Sequence, residues 1–234
     1  IVAISDVNNM AVIEDQRVSP AVLSVVYVDD SAITPGNGGA SEPYQKIGDG
    51  VTRVVSGGTI FVADGTYVEN VLNGTVVPEV LGKRVDIIGE TDGSGNPLPI
   101  LQGSLVVSLD SALGDDIRIE NINFLMVDKH TLLLFGVNGA TIKNCTFDGN
   151  GVGIVGQWMG VQFERGSNNG NSDTTIEDCE FSNSLYGAIQ GYVGDLTVKD
   201  CTISGVKSGI NLQQTSGTLT VENSDITAGA QAVD

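Results

Sequence analysis

Ile142-Lys-Asn-Cys-Thr-Phe147 decides the fold, because the same six-residue pattern returns four more times without a gap. The other copies are Ile119-Glu-Asn-Ile-Asn-Phe124, Ile176-Glu-Asp-Cys-Glu-Phe181, Val198-Lys-Asp-Cys-Thr-Ile203 and Val221-Glu-Asn-Ser-Asp-Ile226. Their starts lie 23, 34, 22 and 23 residues apart, so the long interval carries an insertion of about 11 residues within Trp158 to Asp173. A period of this length built from short β-forming stretches marks a solenoid. The pattern predicts that Ile142, Cys145 and Phe147 point inward and that Lys143 and Thr146 point outward. Strict alternation would put Ile142 and Phe147 on opposite faces, so the phase must reset between them. Asn144 stands at the reset, with Asn121, Asp178, Asp200 and Asn223 in the same place. Asn and Asp tolerate the left-handed backbone region better than other residues with a Cβ, so one of them can turn the chain sharply.

A third apolar stretch follows in each unit: Gly153-Ile154, Gly187-Ala188-Ile189, Gly209-Ile210 and Ala232-Val233. Three strands per turn and about 22–23 residues per rung predict an all-β chain, a right-handed parallel β-helix. Rungs stacked about 4.8 Å apart then pair each backbone group with the rung above or below. No apolar stripe with a 3.6-residue period crosses these units, which excludes a helical repeat.

Residues 26–234 resemble the right-handed parallel β-helix superfamily that includes pectate lyases and many secreted surface proteins. Besides the repeats, the resemblance rests on Tyr27-Val-Asp-Asp30, Pro43-Tyr-Gln-Lys-Ile47 and Gly58-Thr-Ile-Phe-Val-Ala-Asp-Gly-Thr-Tyr-Val-Glu-Asn70. It implies a short N-terminal capping helix that plugs the core. Ile47, Val51, Val54 and Val55 have the spacing for that helix, and Gly57-Gly58 would stop it. Residues 1–25 read as a separate strand-like extension, with Ile1 to Ile4 and Ala21 to Val26 flanking a polar middle. They suit an edge strand or the stub of an adhesin-type domain. The last rung, ending at Val233, reads as uncapped, so more chain or another subunit is expected to cover it.

The chain has 234 residues, 11 Lys+Arg against 29 Asp+Glu, and a formal charge of −18. A nucleic-acid partner would need a basic stripe, so that class is excluded. No run is long and apolar enough for a membrane helix, so no membrane insertion is expected. The start at Ile1 is compatible with a processed, secreted chain. Cys145, Cys179 and Cys201 form an odd set without a C-x-x-C pair, and His130 is the one histidine, so a zinc site is not expected. The three cysteines fall in one inward column with Ile122 and Ser224, which points to packing as unbridged thiols. Two glycosylation sequons begin at Asn73 and Asn144.

The resemblance implies that catalysis on this fold uses grouped acids, or calcium with an Arg or Lys base, on one outward face of successive rungs. With Ile154, Ile189 and Ile210 inward, that face carries Val155 and Gln157, Gln190 and Tyr192, and Asn211 and Gln213. None of these is a carboxylate, Lys or Arg, so no catalytic residue is assigned there. The rungs across 41–118 are too irregular for the same reading. Gln157, Trp158, Gln190, Tyr192, Asn211 and Gln213 are instead candidate glycan-binding residues, since amides hydrogen-bond hydroxyls and aromatic rings stack on sugars. The same residues would also serve simply to solvate a flat sheet. Calcium is the one cofactor considered, at Asp29 and Asp30, at Asp92 and Asn96, or at Asp115 and Asp116. Ordinary turn carboxylates are the competing account.

The expected function is an extracellular or cell-surface structural and adhesive module, with glycan binding and end-to-end self-association as further expectations. The alternative is a calcium-dependent polysaccharide lyase or glycoside hydrolase whose site lies on the early rungs or on further chain. A spacer that presents another domain is the third reading.

Overall fold

The computed structural model describes residues 2–5, 10–13, 23–33, 36–76, 79–109, 116–127, 130–151, 159–164, 171–183, 186–213 and 217–233. Strands β1 (Val2–Ser5) and β2 (Met10–Ile13) form an antiparallel pair. β2 falls inside the stretch expected to be polar, because Met10-Ala-Val-Ile13 is itself an apolar run. The solenoid opens with β3 (Leu23–Val28), three residues before the resemblance begins, and helix α1 (Ile47–Arg53) follows it.

The next rungs are long and plain. β4 (Val54–Val62) leads to β5 (Thr66–Val76), to which the short β6 (Glu79–Leu81) adds antiparallel. β7 (Val85–Gly89) leads to β8 (Ile100–Ser108). The repeat units then give three strands each. They are β9 (Arg118–Glu120), β10 (Asn123–Leu125) and β11 (Leu132–Phe135), then β12 (Thr141–Lys143), β13 (Thr146–Asp148) and β14 (Met159–Glu164). A third set is β15 (Thr174–Glu177), β16 (Glu180–Ser182) and β17 (Gly187–Gly191). In the last two rungs β18 (Leu196–Lys199) precedes β19 (Thr202–Leu212), and β20 (Leu219–Glu222) precedes β21 (Asp225–Val233). Here the second and third strands of the rung run together.

All first strands, from β3 to β20, make one eight-stranded sheet, paired in parallel. Apart from the separate β1–β2 pair, the remaining strands make the second sheet, whose two limbs join through the long β5, β8 and β19. The expected corners are all present. Asn121, Asn144, Asp178, Asp200 and Asn223 have φ between +48° and +59°, the left-handed region. The Asn144 amide links corners across rungs, donating to Asn121 Oδ1 and to Gly95 O, both at 2.8 Å.

The core is a set of stacked columns. Ile60, Ile87, Ile119, Ile142, Ile176 and Val198 form one, in register across the first sheet and buried. Phe124, Phe147 and Phe181 form another, with ring centroids 4.9 and 4.6 Å apart and nearly parallel planes. Cys145, Cys179 and Cys201 are free and buried, as expected. Each thiol lies against backbone carbonyl oxygens of its own rung and the rung before it. Burial pushes the Cys179 thiol well up, and its hydrogen bond with Cys179 together with burial raises Cys201.

Helix α1 differs from expectation at its end. Val54 and Val55 belong to β4, because Gly57 turns the backbone (φ +82°) inside that strand rather than ending the helix. Ile47, Gly50 and Val51 are buried, and Gly50 lies against the side chains of Val26, Val28 and Ile60. Both helix termini are tied by side chains of opposite charge. Glu69 accepts the Ile47 and Gly48 N–H groups (2.7 and 3.1 Å). Lys83 Nζ donates to the carbonyls of Val51, Thr52 and Val54 (3.1, 2.7 and 2.9 Å). Charges so placed oppose the helix dipole at each end. Asn73 fixes Lys83 in turn: its amide takes both the N–H and the C=O of that residue, and Asn73 is only 3% exposed. A sequon asparagine held in this way is a core residue of the fold.

Candidate functional site

The third strand of the rung at 141–164 lies where the expected insertion begins. Val161, not Ile154, stands in the column with Leu132, Ile189 and Ile210. Met159-Gly-Val-Gln-Phe-Glu164 alternates more completely than Gly153-Ile-Val-Gly156, burying Val161 and Phe163 fully with Gln162 between them. The outward partners in this rung are therefore Gln162 and Glu164, in place of Val155 and Gln157. Gln157, Trp158, Ile154 and the insertion residues 165–170 lie outside the described residues.

This corrects the outward face. One row runs Leu133, Gln162, Gln190, Asn211 in register. The next row runs Phe135, Glu164, Tyr192, Gln213. In it Tyr192 N donates to Phe163 O and Gln213 N donates to Gly191 O, each at 2.9 Å. The face does carry a carboxylate, Glu164, which accepts a hydrogen bond from Gln162 Nε2 at 3.0 Å. Gln162 faces outward yet is only 7% exposed, so Gln190, Tyr192, Asn211 and Gln213 are its accessible part. Asn171, read from the sequence only as one asparagine of the insertion, ties Glu164 and Tyr192 in place. Its side chain, 2% exposed, accepts from Val137 N and donates to Glu164 O and Tyr192 O. Only the register of neighbouring rungs makes that role visible.

The candidate calcium ligands fall in separate places. Asp29 Oδ1 accepts from Ser31 N and Ser31 Oγ, and Asp30 Oδ2 accepts from Thr66 N. Asp92 takes the N–H groups of Ser94 and Asn96 and the Asn96 side-chain amide, and these bonds hold its carboxyl below the usual range. The Asn96 amide nitrogen therefore faces Asp92, and the loop satisfies its own carboxylate. Asp116 has a positive φ of 42° and donates its N–H to Asn138 O at 3.3 Å, and Asp115 lies outside the described residues.

Among the described residues, the one group of three metal-ligating side chains with atoms within 4.8 Å of one another is Glu177, Asp178 and Asp200. Lysines already supply its positive charge. Glu177 Oε1 lies 3.0 Å from Lys199 Nζ and 3.3 Å from Lys143 Nζ, and the same two ammonium groups lie 3.5 Å from Asp200 and Asp178. The contacts with Lys199 and Lys143 lower Glu177 and raise both lysines. A divalent cation would have to displace them, so the residues present fit such an ion poorly. The ladder continues in both directions, giving Glu120, Lys143, Glu177, Lys199 and Glu222 down one column. Among the described residues no helix is long and apolar enough to cross a membrane.

Residues 130–233 match the family described as Right handed beta helix region. No curated protein matches the chain in sequence. Two solved structures share its fold. A rhamnogalacturonan lyase is 12% identical with a TM-score of 0.60, covering 90% of this chain and 60% of that protein. Pectate lyase Pel9A is 12% identical with a TM-score of 0.50, covering 86% of this chain and 62% of that protein. The chain thus spans about three fifths of the length of each.

Proposed function

Taking as premise that this chain is a right-handed parallel β-helix of the pectin lyase-like fold, we propose that it is an extracellular or cell-surface module with a structural and adhesive role, binding a polysaccharide along one flank. Gln190, Tyr192, Asn211 and Gln213 form the binding surface. The observation that carries this reading is the in-register stacking of Gln190 on Asn211 and of Tyr192 on Gln213. Side chains repeating about every 4.8 Å along a rigid ladder can follow a linear glycan. Amide groups serve its hydroxyls and the tyrosine ring its apolar face. Helix α1 closes the N-terminal end of the core, and the chain before β3, with the β1–β2 pair, is an extension that precedes the solenoid. End-to-end association belongs to the same proposal and is tested by light scattering across protein concentration.

Affinity electrophoresis in gels containing polygalacturonan, rhamnogalacturonan or a neutral glucan tests the binding surface. The unaltered chain is expected to be retarded by at least one of them, and the Gln190→Ala/Asn211→Ala double variant is expected to lose that retardation while melting normally. Equal retardation of both proteins would overturn the assignment. Release of unsaturated uronide ends from either acidic polymer would replace it with a lyase.

A further inference from the structure

The outer face of the first sheet, away from the amide rows, holds a cleft of about 340 Å³ at its N-terminal end. Its floor is a ladder column, since Tyr27, Phe61 and Ile88 are in-register neighbours on β3, β4 and β7. Two residues further along each strand, on the same face, stand Asp29, Ala63 and Glu90. There Ala63 N donates to Val28 O at 2.9 Å and Glu90 N donates to Val62 O at 2.8 Å. The small Ala63 leaves a dent between Asp29 and Glu90, whose backbones stand about 10 Å apart, two rungs at the usual ladder spacing. Ala40 and Pro43 supply the remaining wall. Three backbone hydrogen bonds tie that wall to β3 and its end: Tyr27 N to Gly38 O, Tyr44 N to Tyr27 O and Asp29 N to Tyr44 O, at 2.8–2.9 Å.

The aromatic pair is exposed rather than core. Tyr27 and Phe61 stack with centroids 5.5 Å apart and planes at 28°, and they remain 37% and 39% accessible. Stacking occupies one face of each ring, and both rings keep accessible surface in the cleft, where Ile88 follows Phe61 in the same column. The face of an aromatic ring is its electronegative part. No Lys, Arg or His is among the described residues that line the cleft, and the chain carries −18 overall. An anion is therefore excluded. A neutral sugar needs directional partners, and the carboxylates are partly committed already: Asp29 Oδ1 to Ser31, and Glu90 Oε2 to Asp64 N at 3.1 Å. A diffuse cation needs only proximity to negative charge and to a ring face.

We infer that this cleft binds an organic ammonium ion with an apolar body. The positive centre lies by Phe61 and Glu90, and its carbon substituents lie against Ile88 and Pro43. This site is on the other sheet from the proposed glycan surface and stands or falls separately from it.

The test is titration of the full chain, by calorimetry and by tyrosine and phenylalanine ring NMR shifts. The probes are choline, Nα-acetyl-lysine methylamide, glucose, and the neutral alcohol in which carbon replaces the nitrogen of choline. Saturable binding of choline or the lysine derivative, at least ten-fold tighter than the alcohol, is the expected result. The tighter of the two ammonium probes identifies whether a free quaternary ion or a side-chain ammonium is the better ligand. Phe61→Leu should weaken that binding about two- to five-fold, the loss of one exposed cation–ring contact. Glu90→Gln should weaken it and reduce its salt dependence. Both positions are exposed, and an unchanged melting curve confirms that each variant is folded. Equal affinity for the alcohol, preference for glucose, or indifference to both substitutions would overturn the inference.

Discussion

Replacing Asn144 separates the two services performed by a corner residue. Its φ of +49° is left-handed, a conformation that costs a residue with a Cβ about 1–2 kcal/mol. Its amide also makes two 2.8 Å hydrogen bonds, to Asn121 Oδ1 and Gly95 O, worth about 1 kcal/mol each. Asn144→Ala forfeits both services and should destabilise by about 3 kcal/mol; Asn144→Gly keeps the backbone relaxed and should cost about 2 kcal/mol. Asp200 provides the contrast. It has the same conformation (φ +51°), but its side chain makes only a half-exposed ion pair with Lys199 at 3.5 Å. Asp200→Ala should therefore cost about 1.5 kcal/mol, and Asp200→Gly about 0.5 or less. For a chain of this size the Asn144→Ala loss corresponds to a drop in melting temperature of about 6–12 °C. Urea unfolding followed by circular dichroism, with amide exchange reporting on individual rungs, reads all four variants. Equal losses for Ala and Gly at both corners would refute the backbone part of the reasoning. Equal losses for Asn144→Ala and Asp200→Ala would refute the hydrogen-bond part.

The ties on α1 predict that Glu69→Ala costs about 2 kcal/mol, the sum of a lost N-terminal cap and a lost dipole interaction. Amide exchange at Ile47 and Gly48 should accelerate in that variant, whereas exchange in the last rungs should not. Lys83→Met should loosen the other end of the helix by a similar amount, about 2 kcal/mol for three carbonyls left without their donor. Glu177, lowered by Lys199 and Lys143, has a folded pKa below its unfolded one. Its contribution is thus complete above the unfolded value and disappears as pH falls through the folded value. Glu177→Gln should flatten the acid limb of a plot of stability against pH and leave the neutral region nearly level. The three buried thiols should resist iodoacetamide in the native protein and all react in denaturant, as counted by mass spectrometry; modification of the folded chain would contradict their burial.

The solenoid was legible because its corners are written in one residue type. Asn or Asp at a fixed place, followed by inward residues one and three positions on, leaves little freedom to the chain between. The reading weakened where that mark is missing. Gly89 stands in the corner column before Asn121, and β5 and β8 run straight through both limbs of the second sheet, so the early rungs present no repeated hexapeptide. It also failed at Ile154. Two neighbouring segments each offer an inward-capable pattern, and the choice between them depends on pairing with Leu132 and Ile189, which no local property encodes. For that reason Glu164 reads from the sequence as part of the insertion and not as a residue of the outward face. The cleft was invisible for a related one: Tyr27 and Phe61 are distant in sequence, and register alone makes them neighbours.

The alternating column of Glu120, Lys143, Glu177, Lys199 and Glu222 gives this flank a parity. Remove a single inner rung, or thread past it during folding, and Glu meets Glu or Lys meets Lys across the ladder. Remove two adjacent inner rungs and opposite charges meet again. Directly opposed like charges disfavour pairing, so the column penalises odd errors in rung count and is blind to even ones. By the same rule the solenoid can be lengthened in steps of two rungs without disturbing this surface, but in steps of one only with a compensating change of sign.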